Sequence, residues 1–368
     1  MSAKRLVLLG AGHTHVLALP AIAAAVAKAG WELLLVCGES KVAYSGMMTG
    51  AIAGLYRQEE IYIDIPRLAA ASRVKLVGED AVELNASKRM LRLADGSSVS
   101  YDLLSLNVGG TIGAAFPGSP QNCCPVKPVA DFFSWLDALP ANPARTVAVV
   151  GGGVAGVEVA LAIDARLRAA GRRGGVFIVG AHEQLTPGYP VLSRVLGRHM
   201  QRRGISVLLG SPAIKASAER IILQNGASAS ISEAVVATGV HTWQGLAGSG
   251  LVVDAGGFVE INRKLQSISH PEVFASGDCA HLDLAAGVLR KAGVYAVRQA
   301  PVLAANLAAA MTGGSLHEWS GSGEALAIVA DGLGGAIAHR NGRTVAGKWV
   351  WKWKDYLDRR FMRRVGAS

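Results

Sequence analysis

The stretch from Arg145 to Ile163, RTVAVVGGGVAGVEVALAI, decides the fold. An apolar run enters a glycine turn and leaves it as an alanine-rich helical pattern. Gly151, Gly153 and Gly156 stand at the spacing of a complete dinucleotide-binding fingerprint. Each glycine has a task there. The first permits the tight turn, the second lets backbone amides approach a pyrophosphate, and the third lets the helix pack close to the strand with its positive end toward the phosphates. One such turn alone is weak ground, since any doubly wound protein can carry one.

Working outward, the chain supplies a second copy. LVLLG (6–10) leads into GAGHTHV (10–16), an alanine-rich helical stretch follows, and WELLLVCGES (31–40) reads as a second buried strand. Gly10 and Gly12 fill the first two glycine positions, while His15 takes the third. That exchange predicts a slightly displaced first helix and an imidazole near the ligand, with both glycines still serving the phosphate. Glu39 follows the second strand, where a carboxylate accepts hydrogen bonds from an adenosine ribose. A third signal is HPEVFASGDCAH (270–281), a strand ending in Gly277 and an exposed Asp278, ahead of the helical GVYAVRQAPVLAANLAA. Together these predict an α/β protein with two Rossmann-like dinucleotide-binding domains, a diverged internal duplication.

Composition agrees with a large folded core. The chain has 368 residues, 51% of them hydrophobic, with 45 glycines, which predicts two or three domains and excludes a disordered chain. No apolar run is long enough to span a bilayer. The run at Leu6 begins too close to Met1 for a secretory signal, so the expected location is the cytoplasm. Cys37, Cys123, Cys124 and Cys279 show neither CxxC nor repeated spacing, which argues against a disulfide scaffold or a metal site. Of the net charge of +10, much lies between Arg340 and Ser368, where nine Lys or Arg face two Asp. As a helix, Trp349 to Arg364 lines up Val350, Trp353, Leu357 and Phe361, with Lys352, Lys354, Arg359, Arg360 and Arg363 on other faces. Such a segment either lies on an anionic membrane, here its inner face, or docks on the protein's own surface. No recognised nucleic-acid module is present.

These signals together resemble the pyridine nucleotide-disulfide oxidoreductase superfamily, in the branch of type-two NADH dehydrogenases and sulfide:quinone reductases. GAGHTHV, YSGMMTGAIAG, EEIYIDIPRLA, PVKP, GVYAVRQAP and WKWKDYLDRRFMRR are similar to the oxidoreductase found alone or fused ahead of selenophosphate synthase in some bacteria. The resemblance implies FAD held by Gly10, Gly12, His13, Glu39, Gly109, Gly277 and Asp278, with Val294 and Tyr295 offering backbone amides to the flavin. It assigns NAD(P)H to Gly151, Gly153, Gly156, Glu158, Thr238 and Gly239. YDLLSLNVGG (101–110) and EAVVATGVHT (233–242) look like the superfamily's crossover strands.

The implied organisation has five parts. An FAD domain occupies 1–110, a connector 111–144, an NAD(P)-type domain 145–238, the rest of the FAD domain 239–310, and C-terminal strands with a basic amphipathic helix 311–368.

The chain departs from the disulfide reductases in having no cysteine pair in YSGMMTG. Gly180 also stands where the second ribose carboxylate is due, leaving Glu183, or His182 with Arg172 or Arg173, to meet the ribose or a 2′-phosphate. Glu158 either lies near nicotinamide and flavin or offsets a helix dipole. His13 and His15 either relay a proton or are structural, and Tyr295 is a further catalytic candidate. The expected function is electron transfer from NAD(P)H through FAD to a quinone. The alternatives are a selenium or sulfur substrate, with a selenophosphate synthase link, and a flavin-bound partner module without turnover.

Overall fold

A computed structural model describes residues 3–112, 123–139, 146–217, 219–284, 287–321 and 324–366. Six helices position the site: α1 (His13–Ala29), α2 (Ser45–Ile52), α3 (Val154–Ala169), α4 (Pro190–Arg203), α5 (Gly293–Thr312) and α6 (Lys348–Arg364).

Two five-stranded sheets carry the chain. In the first, Arg5–Leu9 lies between Leu103–Leu106 and Glu32–Val36, with Val273–Ala275 and Lys75–Val77 outside them, all parallel. In the second, Val147–Val150 lies between Glu233–Val236 and Val176–Val179, flanked by Cys123–Pro125 and Ser206–Leu208, again all parallel. The α/β class and the Rossmann-like sheets expected from the sequence are what the chain forms. Parallel strands covered on both faces must be apolar throughout, and Leu6, Val7 and Leu8 in one sheet and Val147, Ala148 and Val149 in the other are fully buried. The residues expected as a connector do more than link, since Cys123–Pro125 joins the second sheet.

The two stretches taken as crossover strands, Leu103–Leu106 and Glu233–Val236, sit beside the first strand of their sheets. Just beyond them, Thr111–Ile112 pairs antiparallel with Val240–His241, tying the exits together. Three antiparallel strands, Ala327–Ala330, Ala336–Arg340 and Arg343–Gly347, precede α6. Asp164 of α3 and Arg203 of α4 form a buried ion pair, and Arg203 also reaches Asp331 O, which fastens this C-terminal sheet to the second domain.

Helix α6 does not present its sequence stripe as one face. Val350, Phe361, Met362 and Val365 are buried, each contributing roughly 1.5–3 kcal/mol, whereas Trp353 is 38% exposed. Lys354, expected on an outer face, is buried instead, because Asp358 one turn away and the Gly46 carbonyl satisfy its ammonium. No described helix is long and apolar enough to cross a membrane.

Candidate functional site

The first glycine turn is organised by a residue that sequence reading passed over. Asn107 follows Leu103–Leu106 and is buried. Its carbonyl accepts from Gly12 N at 3.0 Å, and its Oδ1 accepts from Thr14 N and His15 N, both at 3.1 Å. Its Nδ2 donates to Ser276 O at 2.7 Å. One residue therefore joins the turn through its carbonyl, and the start of α1 and the residue preceding Gly277 and Asp278 through its side-chain amide. The glycines permit this approach. With φ of +85°, Gly10 would place a Cβ 2.7 Å from Asn107 O, and a Cβ on Gly12 would lie 2.4 Å from Asn107 Oδ1. The available signal was an amide interrupting an apolar run, because a buried polar side chain needs partners.

His15 turns its ring toward the neighbouring strand. Its Nδ1 lies 2.6 Å from Gly10 O and its Nε2 2.8 Å from Ser105 Oγ. A carbonyl can only accept, so Nδ1 carries the proton and Nε2 accepts from the serine hydroxyl. Burial lowers its pKa to about 4, so the ring is neutral near pH 7. The structure thus places this imidazole behind the turn, with both nitrogens engaged, where a proton relay has no free atom.

Three helix starts converge in front of the turn. A Cβ on Gly293, the first residue of α5, would lie 3.6 Å from Ser45 Oγ of α2 and 4.0 Å from His13 Cε1 of α1. None of the three helices has a side-chain cap, so the positive ends of all three are left without a side-chain partner where they meet. Two polar atoms there are buried without partners, His13 Nε2 and Ser276 Oγ. Burial, with Lys127 nearby, lowers the His13 pKa to about 4. A positive cradle with unspent polar atoms and bare glycines fits a dinucleotide pyrophosphate and an electron-rich ring.

The other first-site candidates surround this cradle. Val294 is in the first turn of α5, but the amide of Tyr295 donates to Ala292 O at 3.0 Å, so it is already spent within the helix start. Gly277, with φ of +69°, would drive a Cβ to 2.8 Å from Asn107 Nδ2, and half-buried Asp278 follows it. Glu39 is exposed beyond Glu32–Val36, and burial together with Asp80 raises its pKa against the pull of Lys127. Lys127 was another omission. It donates to Gly110 O at 3.1 Å, beside Gly109, and its charge acts on both His13 and Glu39. Nothing local in PVKP indicates that reach.

The second turn uses backbone alone. Gly151 would place a Cβ 2.4 Å from Ala237 O, next to Thr238 and Gly239, and a Cβ on Gly156 would lie 1.9 Å from Gly151 O. Gly153 precedes α3, which also starts without a side-chain cap. Arg172 and Arg173 lie before Val176–Val179, at the opposite end of that strand from Gly180, so the arrangement with His182 does not form.

Glu158 points toward the C-terminal strands, where it accepts from Ala330 N at 2.9 Å. Burial raises its pKa, and Lys354 opposes the rise. Helix α6 completes the surroundings. Lys354 donates to Asp358 at 2.7 Å, Tyr44 OH donates to Asp358 Oδ1 at 3.2 Å, and Phe361 stacks on Tyr44 with centroids 4.0 Å apart. Phe361 and Tyr44 also reach His13, at centroid distances of 5.6 and 5.3 Å. Burial raises the pKa of Asp358 as well. These aromatic and charged neighbours come from distant segments and were missed as a group.

The family description "pyridine nucleotide-disulphide oxidoreductase" matches residues 4–305. The chain belongs to that family. Membership carries the family's cofactors, FAD and NAD(P)H. An NADH oxidase of Methanocaldococcus jannaschii is 25% identical over 303 residues, 75% of this chain and 64% of that protein. The ferredoxin–NAD(+) reductase subunit of a benzene 1,2-dioxygenase system from Pseudomonas putida is 28% identical over 262 residues, 65% of this chain and 60% of that one. The chain thus spans under two thirds of the length of these curated relatives. The sulfide:quinone oxidoreductase of Aquifex aeolicus superposes with a TM-score of 0.86 at 17% identity, covering 99% of this chain and 91% of the other, a likeness of fold.

Proposed function

We propose that this protein takes electrons from NAD(P)H through FAD and passes them to a quinone. The observation that carries the reading is the convergence of α1, α2 and α5 on His13, Ser45 and Gly293, in a chain with a second, complete glycine turn. Bound FAD would supply the two-electron chemistry and NAD(P)H the hydride. Gly10, Gly12 and Asp278 would hold the first cofactor on a turn braced by Asn107, and Lys127 would supply a positive charge beside it. The helix starts would favour negative charge on a ring bound beside them. Gly151, Gly153 and Gly156 hold the second, and Thr238 and Gly239 let the chain pass close to it. Glu158 and Asp358, both raised by burial, hold a proton more readily than ordinary carboxylates on the side closed by α6.

A quinone is supported by the surroundings of α2. Met47 and Met48 stand in that helix without a cysteine pair, and Tyr44 and Phe361 offer an aromatic wall. A selenium or sulfur substrate has less support, since burial raises the pKa of Cys123 and pushes those of Cys124 and Cys279 up to about 11. The outer face of α6 suits an anionic bilayer. Trp349, Trp353 and Tyr356 are exposed beside Lys348, Lys352, Arg360 and Arg363.

Anaerobic mixing of the flavin-loaded protein with NADH and with NADPH tests the donor, followed at the oxidised-flavin band near roughly 450 nm. Bleaching by either, and recovery on adding a short-chain quinone, is the expected result. A reduced flavin that persists in the presence of quinone sinks the acceptor assignment.

A further inference from the structure

Position 180, where the fingerprint spacing puts a ribose carboxylate, is a glycine in a crowded place. A Cβ on Gly180 would stand 2.7 Å from Leu209 Cδ2 and 3.2 Å from Gly152 Cα, so a side chain here would have to displace Leu209 and press on the backbone of the neighbouring strand's end. An acid that reads the adenosine ribose must come from elsewhere.

The loop after Gly180 provides one. Thr186 N donates to Gly152 O at 2.7 Å and folds the loop back over the glycine turn. Thr186 adopts a left-handed φ of 45°, unusual for a β-branched residue, and its hydroxyl is buried without a partner. Glu183 lies against Gly210, whose Cβ would sit 2.8 Å from Oε1 and 3.1 Å from Oε2, and whose φ of +83° suits a glycine. Gly210 N donates to His182 O at 3.0 Å, which holds the two segments together.

Glu183 follows Val176–Val179 and Gly210 follows Ser206–Leu208. The carboxylate therefore stands over the C-terminal ends of these strands, the edge at which such sheets take ligands. They are the first and second neighbours of Val147–Val150, so the carboxylate lies about 5 to 10 Å to the side of the pyrophosphate turn. Among described residues in the four positions that follow these three strands and Glu233–Val236, Glu183 is the one carboxylate. It and Leu209 also border a cavity of about 640 Å³ between α4 and Ser206–Leu208, walled by Ser193, Gln201 and Val207.

We infer that Glu183 reads the adenosine ribose of the donor nucleotide and selects NADH over NADPH. Its carboxylate accepts from the 2′- and 3′-hydroxyls, and it repels a 2′-phosphate. This rests on the NAD(P)H reading above.

Calorimetric titration of the flavin-loaded protein with ADP-ribose and with 2′-phospho-ADP-ribose separates the two claims. The wild type should bind ADP-ribose at least about tenfold tighter, and Glu183→Gln should narrow that ratio to about threefold or less. A wild type that prefers the 2′-phosphorylated ligand, or a Glu183→Gln variant with an unchanged ratio, overturns the role of Glu183 alone. Binding of neither ligand, with no flavin bleaching by NADH or NADPH, overturns the donor reading and this inference with it. Glu183 is exposed, and the flavin content of the variant should match the wild type.

Discussion

At the first glycine turn, the close approach between strand end and helix start is braced by side chains: Asn107 Oδ1 accepts from two amides at the start of α1, and His15 bonds Gly10 O and Ser105. At the second, with the same strand order, it is made by bare backbone, Gly156 against Gly151 and Gly152 against Gly180. The first solution depends on buried polar groups keeping their partners, and so on protonation. The second depends on volume. A departure from the fingerprint at His15 is thus a change in how the turn is braced, made possible by a hydroxyl and an amide on the neighbouring strand.

The contrast breaks most visibly at Asn107. Asn107→Ala leaves two amides at the start of α1 and the Ser276 carbonyl without their bonds, at a cost of about 3 kcal/mol or more. Urea unfolding should show that loss, and the flavin-to-protein ratio should fall with it.

Acid sharpens the same contrast. The pKa of His15 is about 4 in the folded chain and about 6.5 when unfolded, so between these values the unfolded chain binds more protons. Its contribution is intact above about pH 6.5 and falls as pH drops toward 4, by on the order of 3 kcal/mol. His15→Gln should flatten part of that slope in denaturation series at several pH values, His13 retaining the rest. A slope identical to the wild type contradicts the buried neutral ring.

At the second turn the expected sensitivity is steric. Gly156→Ala puts a methyl carbon 1.9 Å from Gly151 O, which should weaken ADP-ribose binding about tenfold and leave flavin content unchanged. Equal loss of flavin would mean the two turns are not independent. The smallest effect lies far from both. Replacing Trp349, Trp353 and Tyr356 with serine should lower sedimentation with phosphatidylglycerol vesicles several-fold, without altering bleaching by NADH.

Local patterning made both βαβ units, the strands Leu103–Leu106 and Glu233–Val236 and the start of α5 at Gly293 legible, because each is written within about thirty residues as a change of period at a glycine. What escaped were side chains whose meaning depends on distant partners. Asn107 is one polar letter in an apolar run until Thr14 and Ser276 arrive. Lys127 gains its place from His13 and Glu39. Lys354 looked like a solvated charge because its partner Gly46 O comes from a helix hundreds of positions away, while Asp358, one turn on, could have hinted at a pair. The apolar stripe of α6 divided for the same reason, since burial follows the surface it meets.

The stack of Phe361 on Tyr44, beside His13, also bears on the order of assembly. The wall of the cradle is built from positions separated by more than three hundred residues, so it is complete only when α6 is docked beside Tyr44 and His13. A glycine turn can form early from its own βαβ unit. The wall in front of it depends instead on contacts between segments near opposite ends of the sequence, so whatever loosens α6 opens that side while leaving the glycine turn in place.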